Sequence, residues 1–155
     1  MNENDNHPQL VLNPLILLVL TIAVTALLQW MFPIHVIPLA AARIIGIVLF
    51  LGGFALGFPA MLGMIRARTS PNPNRPPTAL VRGATYRITR NPMYLGMLIS
   101  YAGLFIFTQS LWWLIFLPLL AWLMTIWVII PEEKFLAQKF GEEYLQFKTH
   151  VRRWI

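Results

Sequence analysis

The sequence predicts an all-α integral membrane protein, with about four transmembrane helices followed by an amphipathic, cytoplasmic C-terminal helix. Three observations carry that expectation. Of the 155 residues, 57% are hydrophobic and only 12% charged, whereas soluble domains carry about a quarter. The charges leave long gaps, with none between Asp5 and Arg43, none between Arg43 and Arg66, and none between Arg90 and Glu132. Each gap can hold a bilayer-crossing helix of about 20 residues. The remaining basic residues are clustered rather than dispersed.

The elements follow in order. The first span, 14–32, is longer than the apolar core of a signal peptide. Glu3 and Asp5 stand where such a peptide would be basic, so the segment is read as a retained helix. The other spans are 43–65, 93–108 and 111–130. The connection Pro33 to Pro38 is short and uncharged, and Thr108-Gln109-Ser110 is a tight turn that makes a hairpin of the last two spans. The loop 66–92 is different: six arginines, no acid, and a proline-rich run from Pro71 to Pro77. The tail 131–155 carries five more basic residues. Lys and Arg favour the cytoplasmic side, and the loop and tail lie two spans apart, so both can occupy it. Both termini are then cytoplasmic. The chain reads as a single multi-pass domain, 1–155, expected in the inner (cell) membrane of a bacterium.

Gly46, Gly53 and Gly57 fall on one face of the second span, and Gly96, Ser100 and Gly103 on one face of the third. Small residues so spaced let membrane helices approach closely. A nucleotide-binding glycine loop is the poorer reading, because its fingerprint follows a strand. In the tail, Pro131 suits a first helical turn, and Glu132 and Glu133 suit its positive end. Leu136, Phe140, Tyr144, Phe147 and Val151 form an amphipathic stripe, which Gly141 weakens. Glu132, four residues before Leu136, lies on that stripe, where an unpaired carboxylate is costly. Glu133 points about a quarter-turn away and is expected chiefly to support the helix start.

Conventional chemistry is scarce. The chain has no cysteine, which excludes disulfides, thiolate metal sites and a Cys nucleophile. His7, His35 and His150 are too scattered for a metal site and read as ordinary surface or interface residues. No nucleophile elbow and no P-loop is present. Arg66, Arg68 and Arg75 read as topology signals touching anionic lipid, and Trp112 and Trp113 as interfacial belt residues. Nucleic acid is not an expected partner, because the basic residues flank membrane spans. What remains is one cytoplasmic cluster: Arg90 and Asn91 at the start of the third span, the tyrosines Tyr86 and Tyr94, and Glu132, Arg152 and Arg153 of the tail. Polar residues at that depth are candidates for function, and Arg90, Asn91, Arg152 and Arg153 are the candidate catalytic residues.

The blocks "TALVRGATYRITRNPMYLG" (Thr78–Gly96) and "PEEKFLAQKFGEEYLQFKTHVRRW" (Pro131–Trp154) together resemble the isoprenylcysteine carboxyl methyltransferase and phospholipid methyltransferase superfamily. The resemblance covers about the second half of the chain. It implies S-adenosylmethionine as methyl donor and a lipophilic small molecule or lipid as acceptor. It also implies cofactor contacts from Ala79, Leu80, Val81, Tyr86, Asn91, Pro92, Met93, Tyr94, Gly96 and Glu132. A carboxylate can take the donor's ammonium or ribose hydroxyls, an arginine can pair with its anionic group, and a tyrosine face can attract the sulfonium. Methyl transfer needs alignment more than a metal or covalent nucleophile. The chain departs from the prenylcysteine branch in three places: Asn91 stands for His, one extra residue separates Gly83 from Tyr86, and Val128 stands where that branch has a substrate-binding Arg. Prenylcysteine carboxylates are therefore expected to be poor acceptors.

Two other functions compete. A fainter resemblance to sterol reductases would put NADPH against the arginine loop, and a non-enzymatic helical scaffold would use only the glycine faces. The first leaves the Glu-Glu block unused, and the second leaves Glu132 unexplained. The orientation has its own test, simplified by the lack of native cysteine. Arg75→Cys and Thr108→Cys are expected to label with an impermeant thiol reagent from opposite sides of the membrane; labelling from one side would overturn it.

Overall fold

Asn13 opens the first helix by accepting the Leu15 N–H at 2.9 Å, a cap that satisfies one orphan donor. Pro14 sits in the first turn, and α1 runs Pro14–Met31. The computed structural model describes residues 12–35, 39–73 and 75–155, so His7 and the second half of the Pro33–Pro38 connection lie outside the described residues. After α1 come α2 (Leu39–Arg66), a 3₁₀ turn (Ala84–Arg87), α3 (Pro92–Phe107), α4 (Trp112–Met124), a π-helical turn (Thr125–Ile129), α5 (Ile130–Phe140) and α6 (Glu142–His150). Three helical stretches are long and apolar enough to cross a membrane: Pro14–Met31, Ala40–Arg66 and Trp112–Phe140. The fourth apolar helix, α3, has 16 residues and is about 24 Å long, short of the roughly 30 Å hydrocarbon core.

The helices alternate in direction. At one end the Phe32 carbonyl accepts the Trp112 Nε1–H at 3.1 Å, and His35 bridges Ser110. Thr108-Gln109-Ser110 is the tight turn that was expected. Gln109 adopts a left-handed φ of 61°, and the Ser110 N–H reaches back to the Phe105 carbonyl at 2.9 Å.

Polar-free helices have little hydrophobic reason to associate in lipid, so close backbone approach matters. Here α2 and α3 run antiparallel with their backbones in contact. A Cβ on Gly96 would lie 2.5 Å from the Gly53 carbonyl oxygen, and one on Gly46 would lie 2.6 Å from the Phe107 Cβ. Ser100 Oγ donates to the Phe50 carbonyl across the same seam at 3.1 Å. The α1 helix packs on α4 and touches α3, where the buried Thr25 and Tyr101 hydroxyls share a 2.7 Å hydrogen bond. Tyr101, Phe105, Leu120, Met124, Val128 and Ile129 form the core beside it.

The tail departs from its sequence expectation. Pro131 begins no separate helix, because α4, the π turn and α5 are continuous from Trp112 to Phe140. Proline lacks an N–H, and its ring crowds the carbonyl four residues back. The widened turn before it, closed by the Ile130 N–H on the Thr125 carbonyl, accommodates both. Gly141, at φ 52° and ψ −128°, ends the run where a side chain would be strained.

The glycine seam has a built-in control, since a Cβ at Gly52 would meet nothing within 4 Å. Gly53→Ala and Gly96→Ala are expected to destabilise the detergent-solubilised protein by about 1–3 kcal/mol, as overpacking does. Gly52→Ala is expected to be neutral or mildly stabilising, since Gly costs a helix roughly 0.5–1 kcal/mol relative to Ala. Equal melting temperatures for all three would remove the seam from the stability account.

Candidate functional site

At the other end of the bundle, the chain closes around one cavity of about 480 Å³. Its outer wall comes from the proline-rich loop. That loop leaves α2 through a left-handed Arg68 (φ 55°) and is folded back by two bonds, Thr78 N–H to Thr69 Oγ1 at 2.9 Å and Thr78 Oγ1 to the Arg68 carbonyl at 2.8 Å. Val81 thereby rests 3.5 Å from the position a Gly63 Cβ would take. A second left-handed residue, Ala84 (φ 52°), then starts the 3₁₀ turn that carries Tyr86 to the cavity.

Pro92 starts α3, as expected, and the Leu95 N–H bonds the Asn91 carbonyl at 2.9 Å. Asn91 and its neighbours hold the C-terminus. Thr89 Oγ1 and Asn91 Nδ2 both donate to the Arg153 carbonyl at 2.9 Å, and the Arg90 N–H donates to the Arg152 carbonyl at 2.9 Å. The tail so anchored lays Tyr144 and Phe147, both buried, along the cavity's roof.

The structure brings together Ala79, Leu80, Val81, Tyr86, Arg90, Asn91, Pro92, Met93, Tyr94 and Glu132, all of which line this cavity. Three expected residues are elsewhere. Gly96 faces the α2 backbone and lines a separate apolar groove. Arg152 is exposed, and Arg153 is turned to Glu133. Val128 is fully buried in the core. Sequence reasoning missed Tyr144 and Phe147 as lining residues, although their stripe spacing marked them as inward, and missed Met61 and Met64 at the end of α2.

Glu133 is the main correction. It was expected merely to support a helix start, yet it is only 7% exposed. Arg90 Nη2 reaches its Oε1 at 2.9 Å, Arg153 Nε reaches the same oxygen at 3.1 Å, and Arg153 Nη2 reaches Oε2 at 2.8 Å. Arg90 also donates to the Lys148 carbonyl at 3.1 Å. Burial would raise the Glu133 carboxyl, but the Arg153 hydrogen bonds and the Arg90 and Arg153 charges hold it below its ordinary value. Helix geometry explains the error: α5 packs on the cavity with one flank and on α6 with the next, so its inward face is wide enough for adjacent residues.

Glu132 is treated differently by its surroundings. It lies just beyond the apolar run that ends at Ile130, half-buried and opening on the cavity it lines. Its Oε2 accepts the Tyr94 hydroxyl at 2.9 Å, and among the described residues no Lys or Arg pairs with it. Burial pushes its carboxyl up to about 7, against the lowering effect of the Tyr94 bond and with a further rise from the Glu133 charge. Burial and then the Glu132 charge push the Tyr86 phenol far above its ordinary value, so it stays a protonated donor.

Beside this cavity lies the apolar groove of about 310 Å³, bounded by Leu18 and Ile22 of α1, Phe54 and Phe58 of α2, and Tyr101 and Leu104 of α3. Met61, Met93 and Met97 line both spaces. Flexible, polarisable methionine suits a wall that adapts to varied apolar shapes.

The raised Glu132 carboxyl has a stability consequence. Below its ordinary value of 4.5 it is protonated whether folded or unfolded, while from there to about 7 only the unfolded chain ionises. Folding therefore loses stability as pH rises across that window, and the loss is complete above about 7. Ligand-free Glu132→Gln is expected to melt higher than the parent at pH 8 and level with it near pH 4.5. A difference that does not change with pH would contradict this.

No curated protein and no solved structure matches the chain. The family model for phospholipid methyltransferase matches residues 41–143. That span runs from the start of α2 through the arginine loop, the Arg90–Gly96 corner and Glu132. Nothing ties the chain specifically to the isoprenylcysteine carboxyl methyltransferases, but on a match covering most of its length the chain belongs to the phospholipid methyltransferase family.

Proposed function

We propose that the protein is an S-adenosylmethionine-dependent methyltransferase of the membrane, acting at the cytoplasmic boundary on a lipophilic or amphipathic acceptor, with four spans and both termini cytoplasmic. The observation that carries this reading is a cavity offering a carboxylate without a cation, Glu132, beside an apolar groove. The volume suits a cofactor-sized ligand. Glu132 would take the donor's ammonium or its ribose hydroxyls, and the faces of Tyr86 and Tyr94 would attract positive charge. Ala79, Leu80 and Val81 would cover the donor's apolar surface. When bound, the donor supplies an activated methyl group; the chain's part is to align it with the acceptor and exclude water. The groove behind the three methionines would hold the acceptor's hydrocarbon portion. Val128, buried in the core, gives an acceptor carboxylate no cation from that helix, so prenylcysteine carboxylates are not the favoured class.

The reductase alternative loses support from Arg90, which already serves Glu133 rather than a 2′-phosphate. The purified, detergent-solubilised protein is expected to bind S-adenosylhomocysteine and not NADPH. Glu132→Gln should weaken S-adenosylhomocysteine by roughly ten- to a hundred-fold, the scale of a lost hydrogen bond to a charged group. Binding of NADPH alone would favour the reductase, and unchanged affinity in Glu132→Gln would remove that residue from the site.

A further inference from the structure

Two carboxylates one residue apart have opposite circumstances. Glu133 holds two guanidinium groups through three contacts of 2.8–3.1 Å. Glu132 holds a tyrosine hydroxyl. Arg90 is the cation that could change this. Its side chain is 8% exposed, it lines the same cavity as Glu132, and its buried Nε has no acceptor among the described residues. A guanidinium so placed cannot lose its proton and needs a countercharge.

We infer that Glu133 is a positioning residue for ligand binding: by occupying Arg90 and Arg153 it keeps the Glu132 carboxylate free for a cationic group of the ligand. The inference rests on the reading above, that Glu132 receives such a group from the methyl donor. Without the Glu133 charge, Arg90 is left buried and uncompensated, and the other carboxylate facing its cavity is Glu132. An Arg90–Glu132 pair would put a protein cation where the ligand's belongs. The two neighbouring acids thus divide the work, one neutralising the arginines that anchor the tail and the other left facing the cavity without a cation among the described residues.

An anchor that was only structural would affect folding without this competition, and the two are separable by rescue. S-adenosylhomocysteine affinity is measured by titration calorimetry on the full-length protein in detergent, with thermal unfolding confirming that each variant is folded. Glu133→Gln is expected to bind about tenfold more weakly or worse, and Glu133→Gln/Arg90→Gln to recover to within about threefold of the parent, a non-additivity typical of coupled neighbours. Should the paired amides fail to fold, Glu133→Gln/Arg90→Met replaces them, since apolar substitutes for a buried ion pair are often tolerated. Parent-like affinity in Glu133→Gln overturns the inference, as does a folded double variant that stays as weak as the single one. Parent-like affinity in Glu132→Gln is a distinct failure, overturning the reading of Glu132 and with it the inference built on it.

Discussion

The structure turns on how a helix that leaves an apolar environment disposes of two consecutive carboxylates. An ionised carboxylate without a partner is too costly to bury, and both Glu132 and Glu133 are drawn inward by the packing of α5 between the cavity and α6. Glu133 is made tolerable by Arg90 from the start of α3 and Arg153 from the C-terminus. Those pairs join three segments remote in sequence at one point. Removing one partner of such a group costs far more than the pair contributes net, so the anchor fixes where the tail runs. With the tail run there, Tyr144 and Phe147 become the roof of the cavity.

The rest of the bundle supplies contrast between a rigid wall and an adaptable one. Along α2 and α3, backbone meets backbone through Gly46, Gly53, Gly96 and Gly103, and there is no room for rearrangement. On the other side of α3, the contact with α1 is lighter and includes the Thr25–Tyr101 hydrogen bond. The apolar groove opens on that lighter side and meets the cavity at three methionines. Polar and apolar compartments therefore adjoin at the level where the third helix begins.

Most of the fold was legible because its cause is local. Gaps between charges marked the apolar helices, three of them long enough to cross a membrane, and the spacing of Gly46, Gly53, Gly96 and Gly103 marked the seam. Pro92 marked the start of α3, and Gly141 the end of α5. The continuity through Pro131 was not legible, since a π turn compensating a proline depends on the geometry of the whole turn and not on any residue type within it. The part of the cavity's lining contributed by Ala79 to Tyr94 was anticipated by the first sequence block, and Glu132 by its place on the stripe, whereas the lining from α1, the end of α2 and the tail was not. The pairing of Glu133 was missed because it depends on Arg90, 43 positions away, and on Arg153 after a helix break. Helical periodicity alone assigns an inward direction; it says nothing of how many neighbours a helix must face.

That same pairing reassigns the arginines. Guanidinium groups at the corner where α3 begins suggest contact with an anionic ligand; Arg90 was the arginine that could take that role, and Arg153 was a candidate catalytic residue. In the folded chain their charge is already directed at Glu133, while the backbone carbonyls of Arg152 and Arg153 accept from Arg90, Thr89 and Asn91. Once the half-buried Glu132 is ionised, the inner end of the cavity presents a negative group to whatever enters. A low-dielectric wall strengthens that attraction. On the proposed reading this polarity suits a donor that carries positive charge at its sulfonium and ammonium. A phosphate-rich nucleotide would meet repulsion from Glu132 and find Arg90 already engaged. On that reading, what separates the two cofactors is the acid left without a cation at the inner end, since the lining's other arginine, Arg75, lies exposed in the outer loop.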